Sequence, residues 1–225
     1  MARLNIIVEG HSEEAFVNDL LVPHLARCGV YASARRVETS REKSRRTRKT
    51  AKTYRGGVSA YPQVKKDIKT RMKQDQDANL SFTTMFDLYA LPDDFPGFSE
   101  AAKTADPYRK VAVLEDAWRI DLAHPRFIPY LQLHEFEALI LVDPALFALF
   151  YDEHPEEVAE LVKMCAIFAS PELIDDSPQQ APSKRIIRLF PDYGERGGKT
   201  VIAPLLTHRS ASTKCAPSAV TSASG

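Results

Sequence analysis

The chain has 225 residues, of which 44% are hydrophobic and 27% charged, a composition that suits a soluble globular protein with one sizeable core and at most a small appendage. Its three cysteines, Cys28, Cys165 and Cys215, are scattered and form no CxxC, so neither a disulfide framework nor a zinc site is indicated and a reducing, cytoplasmic setting is expected. The net charge of zero hides an asymmetry: Arg35 to Lys73 holds 15 of the 30 basic residues and three acids, a net +12 against −12 on the rest, a distribution suited to polyphosphate.

Leu4 to Val8 is a short apolar run that stops at Glu9-Gly10, with an amphipathic run beginning a few residues later. This pattern predicts a buried strand, a tight turn and a helix. Glu9 then stands at the carboxyl end of a strand, the edge where open α/β sheets bind ligands. Gly10 is read as the residue that lets the chain turn sharply, Ser12 as the N-cap, and Glu13 and Glu14 as first-turn carboxylates favoured by the helix dipole. For Glu13 and Glu14 that structural role and a functional one stand equally open. For Glu9 a structural role does not suffice, because a carboxylate directly after an apolar run costs free energy unless it is paired or holds a cation.

The helix over Glu13 to Arg27 carries Phe16, Leu20, Leu21 and Leu25 at helical spacing and ends at Gly29; Pro23 inside it is expected to kink it or end its first half near Val22. A second strand is predicted at Val30 to Val37. Thr39 to Gly57 has almost no aliphatic residues and reads as a basic insertion, about 38–57, either a solvated loop or an arm for the phosphate backbone. In the second reading Arg45, Arg46, Arg48, Lys49, Lys52 and Arg55 contact nucleic acid without reading sequence, with Tyr54 and Tyr61 available for stacking.

Tyr61 to Lys73 is an amphipathic helix with Val64, Ile68 and Met72 inward. Leu80 to Phe86 has the β-branched and aromatic composition of a strand and runs straight into Asp87. Leu88 to Phe98 is a Pro/Gly-punctuated loop in which Asp93 and Asp94 serve as turn formers. Ser99 to Ile120 is helical with a break at Pro107. Phe127 to Leu133 is a third apolar strand, ending in His134-Glu135-Phe136-Glu137. His134 is read either as a general base or ligand, or as a packed, hydrogen-bonded histidine.

Beyond it, Ala138 to Phe150 is a helix or further buried segment, broken at Asp143-Pro144 and too short to span a bilayer. Glu156 to Phe168 is an amphipathic helix, Asp175 to Pro182 a loop, Lys184 to Phe190 a short helix or strand, and Asp192 to Thr200 a Gly-rich loop. Thr207 to Gly225, with 12 Ser, Ala or Thr among 19 residues, reads as low-complexity and unfolded. The domain reading is therefore one α/β domain over 1–200 and a tail over 201–225.

Three strands are thus expected to deliver carboxylates to one edge: Glu9 with Glu13, Asp87, and Glu135 with Glu137. Such a group needs protons or a divalent cation, and oxygen-only ligation suits Mg2+ or Mn2+. Bound there, a divalent ion polarises a phosphodiester and lowers the pKa of water. No P-loop and no GxGxxG motif is present, which argues against nucleotide hydrolysis or dinucleotide binding by the chain itself.

The run Ile6 to Glu13, IIVEGHSE, resembles the VEGxTE-type opening of Toprim domains found in topoisomerases, primases and overcoming-lysogenization-defect (OLD) nucleases. Taken with Met85 to Tyr89, Leu91 to Gly97 and Tyr130 to Leu139, it is similar to a bacterial Toprim-like family of unknown function, often encoded beside an ABC- or SMC-type ATPase. That resemblance covers roughly Arg3 to Lys199. It implies a Toprim-like α/β fold, a mainly parallel sheet flanked by helices with a helical C-terminal extension, magnesium binding, and a nuclease role in defence against phage or mobile DNA. It casts Glu9 as metal ligand or general acid/base and Asp87 as the first acid of the Toprim DxD pair. The second acid is missing, since that position is Tyr89; Asp93, Asp94, Glu135 or Glu137 are the candidates to replace it.

The resulting expectation is a Mg2+-dependent nuclease subunit acting on DNA or RNA with an ATPase partner, with Glu9, Glu13, Asp87 and Glu135 catalytic and Glu9, Asp87, Glu135 and Glu137 on the metal. The alternative is a non-catalytic Toprim-fold module that binds nucleic acid or regulates a partner. A metal-dependent activity on a small nucleotide is a third reading, which leaves the +12 band without a use. Formation of a homo-oligomer is left open.

Overall fold

The computed structural model describes residues 1–37, 60–174 and 180–194. The basic insertion and the tail lie outside them, as do Asp175 and its neighbours and the end of the Gly-rich loop, so those expectations concern residues not described.

Two seven-residue strands open the chain, β1 (Ala2–Val8) and β2 (Val30–Arg36), joined by one long helical crossover. That crossover consists of α1 (His11–Phe16), a π-helical turn (Val17–Leu21) and α2 (Val22–Arg27). The wide turn sits where Pro23 demands it. Proline offers no N–H to the preceding turn and its ring crowds the carbonyl four residues back, and a π turn relieves both. Gly29, at φ 74°, closes the helix by donating to the Ala26 carbonyl at 3.0 Å, the left-handed stop predicted for it.

Next come α3 (Tyr61–Gln74), β3 (Leu80–Asp87), α4 (Phe98–Ala101) and α5 (Pro107–Leu122). Asp106 caps α5, accepting from the N–H groups of Tyr108 and Arg109, and Pro107 is the first helical residue, so the expected break falls there. The predicted third strand is split into β4 (Phe127–Ile128) and β5 (Leu131–Gln132), because Pro129 cannot donate to a ladder. Thr84, buried in β3, repairs the gap: its hydroxyl accepts from the Tyr130 N–H at 3.0 Å and donates to the Tyr130 carbonyl at 2.9 Å.

All strand pairs are parallel, in the order β2-β1-β3-β4, with β5 also on β3. Alternation in β1 sends Ile6 and Val8 to one face and Ile7 to the other. The first face packs on α1, α2 and the C-terminal layer of α6 (Glu137–Ile140), α7 (Pro155–Ala166) and α8 (Pro182–Leu189). The second packs on α3 and α5 around Trp118, which meets Phe86, Phe95 and Phe127 at ring-centroid distances of 5.5, 4.8 and 5.3 Å. This split follows from right-handed crossovers: the chain moves outward from β1 to β2, then back across β1 to β3, and reversing direction moves the connecting helix to the opposite face. The reversal opens a crevice between the carboxyl ends of β1 and β3, the ligand position in open α/β sheets. Among the described residues no helix is long and apolar enough to cross a membrane.

Candidate functional site

Val8 and Met85 are register partners at the end of the β1–β3 ladder, so the next residues of each strand meet in the crevice. Glu9 there accepts the backbone N–H of Asp87 through Oε1 at 3.0 Å. Asp87 in turn accepts the N–H of Phe136 through Oδ1 at 3.0 Å, which ties the strand ends to the start of α6. Glu135 accepts from Ser183 twice, from its N–H at 2.9 Å and its hydroxyl at 3.1 Å, so the N-terminal turn of α8 holds this carboxylate. Glu137, 5% exposed, is the first residue of α6.

Glu13 reaches the same place by a different route. A Cβ on Gly10 would lie 2.8 Å from Glu13 Oε2, so the carboxylate folds back over the glycine. Gly10 itself has φ −133° and ψ −171°, which any residue adopts; its contribution is the space its missing side chain leaves, not an unusual turn. The helix starts at His11 with Gly10 as N-cap, so Ser12 lies inside the first turn and does not cap it. Glu14 leaves the group altogether, pairing with Arg36 Nε at 2.8 Å.

The electrostatics are those of a crowded anionic cluster. Burial first, and then Glu13, pushes the Glu9 carboxyl up to about 8 from its ordinary 4.5, against the lowering effect of the Asp87 N–H. Asp87 is held well above the usual carboxylate range by burial, then by Glu9, Glu13, Glu137 and Glu135. The other four carboxylates named from the sequence thus all raise Asp87. Without a cation, protons must hold Glu9 and Asp87 together.

The remaining acids stand elsewhere. Asp94 accepts the Tyr61 N–H at 3.1 Å and so caps α3, while Asp93 is exposed; neither enters the pocket. Tyr89 stacks on His134 with centroids 5.1 Å apart. His134 adopts φ 64°, uncommon for a side chain with a Cβ, and this turn swings the chain from β5 into Glu135 and Glu137. Burial, and then Lys110, lowers its pKa to about 4, so it is a neutral, packed imidazole at physiological pH. Arg45, Arg46, Arg48, Lys49, Lys52 and Arg55 lie outside the described residues.

One further residue, unmarked by any motif, is coupled to these acids through its charge. Tyr193, in the turn Pro191–Gly194, is fully buried and feels Glu137, Glu135 and Glu13. Its only signal in the sequence is an aromatic within a Pro/Gly loop.

Among the described residues no three His, Cys, Asp or Glu side chains converge closely enough to hold a metal ion directly between them. The donor chemistry nonetheless suits a hard cation. Mg2+ keeps several waters and is commonly bound by one or two carboxylates together with substrate phosphate. Glu9 and Asp87 each use one oxygen on a backbone N–H, and the second oxygen of each accepts no hydrogen bond from the described residues.

The chain belongs to the family described as "Domain of unknown function (DUF4276)", whose model matches residues 8–216, a span that takes in all five carboxylates and Tyr193. No curated protein and no solved structure matches the chain.

Proposed function

We propose that the chain is a Mg2+- or Mn2+-dependent nuclease subunit of Toprim type, and that its site is the carboxylate pocket between β1 and β3. The observation that carries this reading is the pairing of Glu9 with Asp87: two half-buried carboxyls at adjacent strand ends, joined at the switch point through the Asp87 N–H, with Glu13 helping to raise Glu9 and Glu9 helping to raise Asp87. Perturbed acids at a ligand-binding edge are what functional sites are built from. Glu9 and Asp87 would hold the cation, with Glu135 and Glu137 behind them. When bound, the ion supplies charge stabilisation on a phosphodiester and an activated water. Glu13, folded over Gly10, is placed to accept the proton of an attacking water.

The substrate, DNA or RNA, follows from the +12 segment, whose lysines and arginines would bind phosphate independently of sequence. The likeness to Toprim proteins encoded beside ABC- or SMC-type ATPases supports such a partner and a role in defence against phage or mobile DNA. The expected result is Mg2+-dependent cleavage of labelled single- or double-stranded substrate by the wild type, abolished in Glu9→Gln and Asp87→Asn with melting behaviour preserved. Metal-independent cleavage, or cleavage untouched by both changes, would sink the reading.

A second reading has its own support. Tyr89 occupies the second DxD position and is engaged with His134, as in a module that retains the fold and has lost the chemistry. Nucleic-acid binding without cleavage at any divalent cation concentration would favour it.

A further inference from the structure

We propose that the exposed crest of α3, carried by Lys66, Lys69 and Lys73, is a docking track for the phosphate backbone of nucleic acid. The inference rests on the nucleic-acid part of the reading above and is independent of metal binding and cleavage.

The crest follows from how the helix is seated. Tyr61, Val64, Ile68 and Met72 recur at three- and four-residue spacing and are buried, which fixes the rotation of α3 against the sheet. At about 3.6 residues per turn, Lys66, Lys69 and Lys73 then fall on the opposite side, and all three are exposed, as is Thr70 between them. The helix holds Lys65, Lys66, Lys69, Arg71 and Lys73 against one acid, Asp67.

The acids near the crest are already engaged by other cations. Asp67 pairs with Arg71 at 2.9 Å, and Asp121 pairs with Lys65 at 2.8 Å and accepts the Tyr61 hydroxyl. Just past the helix, Asp75 and Asp77 both pair with Arg3, at 3.4 and 2.9 Å. The ammonium groups of Lys66, Lys69 and Lys73 make no ion pair or hydrogen bond among the described residues, and Lys69 feels Asp121 only at longer range. Like charges one turn apart on a helix repel, a cost that a polyanion lying along the crest removes.

Length and surroundings select the polyanion. Seven residues of helix separate Lys66 from Lys73, about 10 Å of axis, which matches about three phosphates along one strand of DNA. A helix that lies in a lipid surface needs an apolar face to bury there, whereas the hydrophobic residues of α3 are spent on the core. Point charges on flexible stems suit phosphate contact without base readout. The helix is also tied to the functional edge of the sheet: Arg71 donates to the Arg36 carbonyl at 2.9 Å, and Arg36 is the register partner of Val8, the residue before Glu9.

The experiment is fluorescence anisotropy of labelled single- and double-stranded oligonucleotides with the full chain, over a salt series in chelator, so that neither metal nor cleavage enters. It compares wild type, a variant with Lys66, Lys69 and Lys73 all changed to Gln, the same three changed to Arg, and a control with Arg27, Lys163 and Arg188 changed to Gln. The control residues are exposed on α2, α7 and α8, the helices of the other face of the sheet, and remove the same charge. The expected result is a slope of log K against log salt that falls by about 2–3 in the α3 Gln variant and is kept in the Arg variant and the control. An unchanged slope in the α3 Gln variant, or an equal fall in the control, overturns the role of α3 and leaves the nucleic-acid reading to the other basic residues. A wild type that binds no oligonucleotide at any salt concentration, or that binds only phosphatidylserine vesicles offered in parallel, overturns both.

Discussion

Glu9 accepts the backbone N–H of Asp87 across the carboxyl ends of β1 and β3, a 3.0 Å bond that places two half-buried acids side by side where the connections diverge. The single bond orders the crevice. It also concentrates negative charge where the fold is least able to solvate it, and that conflict governs how the protein responds to pH and to metal.

Stability in the absence of metal should fall as pH rises. Glu9 has a folded-state pKa of about 8 against an ordinary 4.5, and Asp87 is raised as well. Both groups therefore bind protons more tightly when folded. Their contribution is fully present below the unfolded-state values, declines above about pH 4.5, and is lost as pH passes about 8. Thermal melts in chelator from pH 5 to 9 should show this decline, amounting to a few kcal/mol, and Glu9→Gln should flatten it. A wild-type Tm that rises across this window would show that the two carboxyls are not buried together.

Thr84→Val should destabilise the chain by about 1–3 kcal/mol although the two side chains have the same shape. The hydroxyl satisfies both backbone groups of Tyr130 where Pro129 interrupts the strand, and valine leaves them buried without partners. Chemical denaturation measures the loss. Since Tyr130 lies next to β5 and so upstream of Glu135, metal affinity should fall along with stability; a Thr84→Val protein as stable as wild type would mean water fills the gap.

Arg45, Arg46, Arg48 and Lys49 lie in the segment that carries +12. Changing all four to Gln should weaken nucleic-acid binding and reduce the slope of log K against log salt by about 0.7–0.9 for each phosphate no longer neutralised. Fluorescence anisotropy across a salt series reads both quantities. Unchanged affinity and slope would move the nucleic-acid surface elsewhere, for instance to the exposed lysines Lys66, Lys69 and Lys73 of α3.

The legible parts of this chain are those where one residue type faces one physical demand. Apolar runs ending in Glu9 and Asp87 announce buried strands with acids at their tips, and Val64, Ile68 and Met72 at helical spacing announce the buried face of α3. The third strand is harder: its apolar run masks the interruption at Pro129, and the repair by Thr84 depends on a neighbour 46 residues away, which spacing cannot reveal. Ser12 looks like a cap because capping residues are recognised by type; the helix starts earlier because Gly10 already supplies the extended backbone that precedes it. Glu13 and Glu14 are indistinguishable as letters. Only helix phase sends one over Gly10 and the other to Arg36. Tyr193 stands in a non-periodic loop, so spacing gives no sign of its complete burial.

The most direct test of a metal site at the Glu9–Asp87 pair is Mg2+ and Mn2+ binding by calorimetry on wild type and Glu9→Gln in the same buffer. Saturable binding by the wild type is predicted, accompanied by proton release as the cation displaces protons held on Glu9 and Asp87, with loss of that binding in the variant. No binding at millimolar concentration, or equal binding by both proteins, would contradict it.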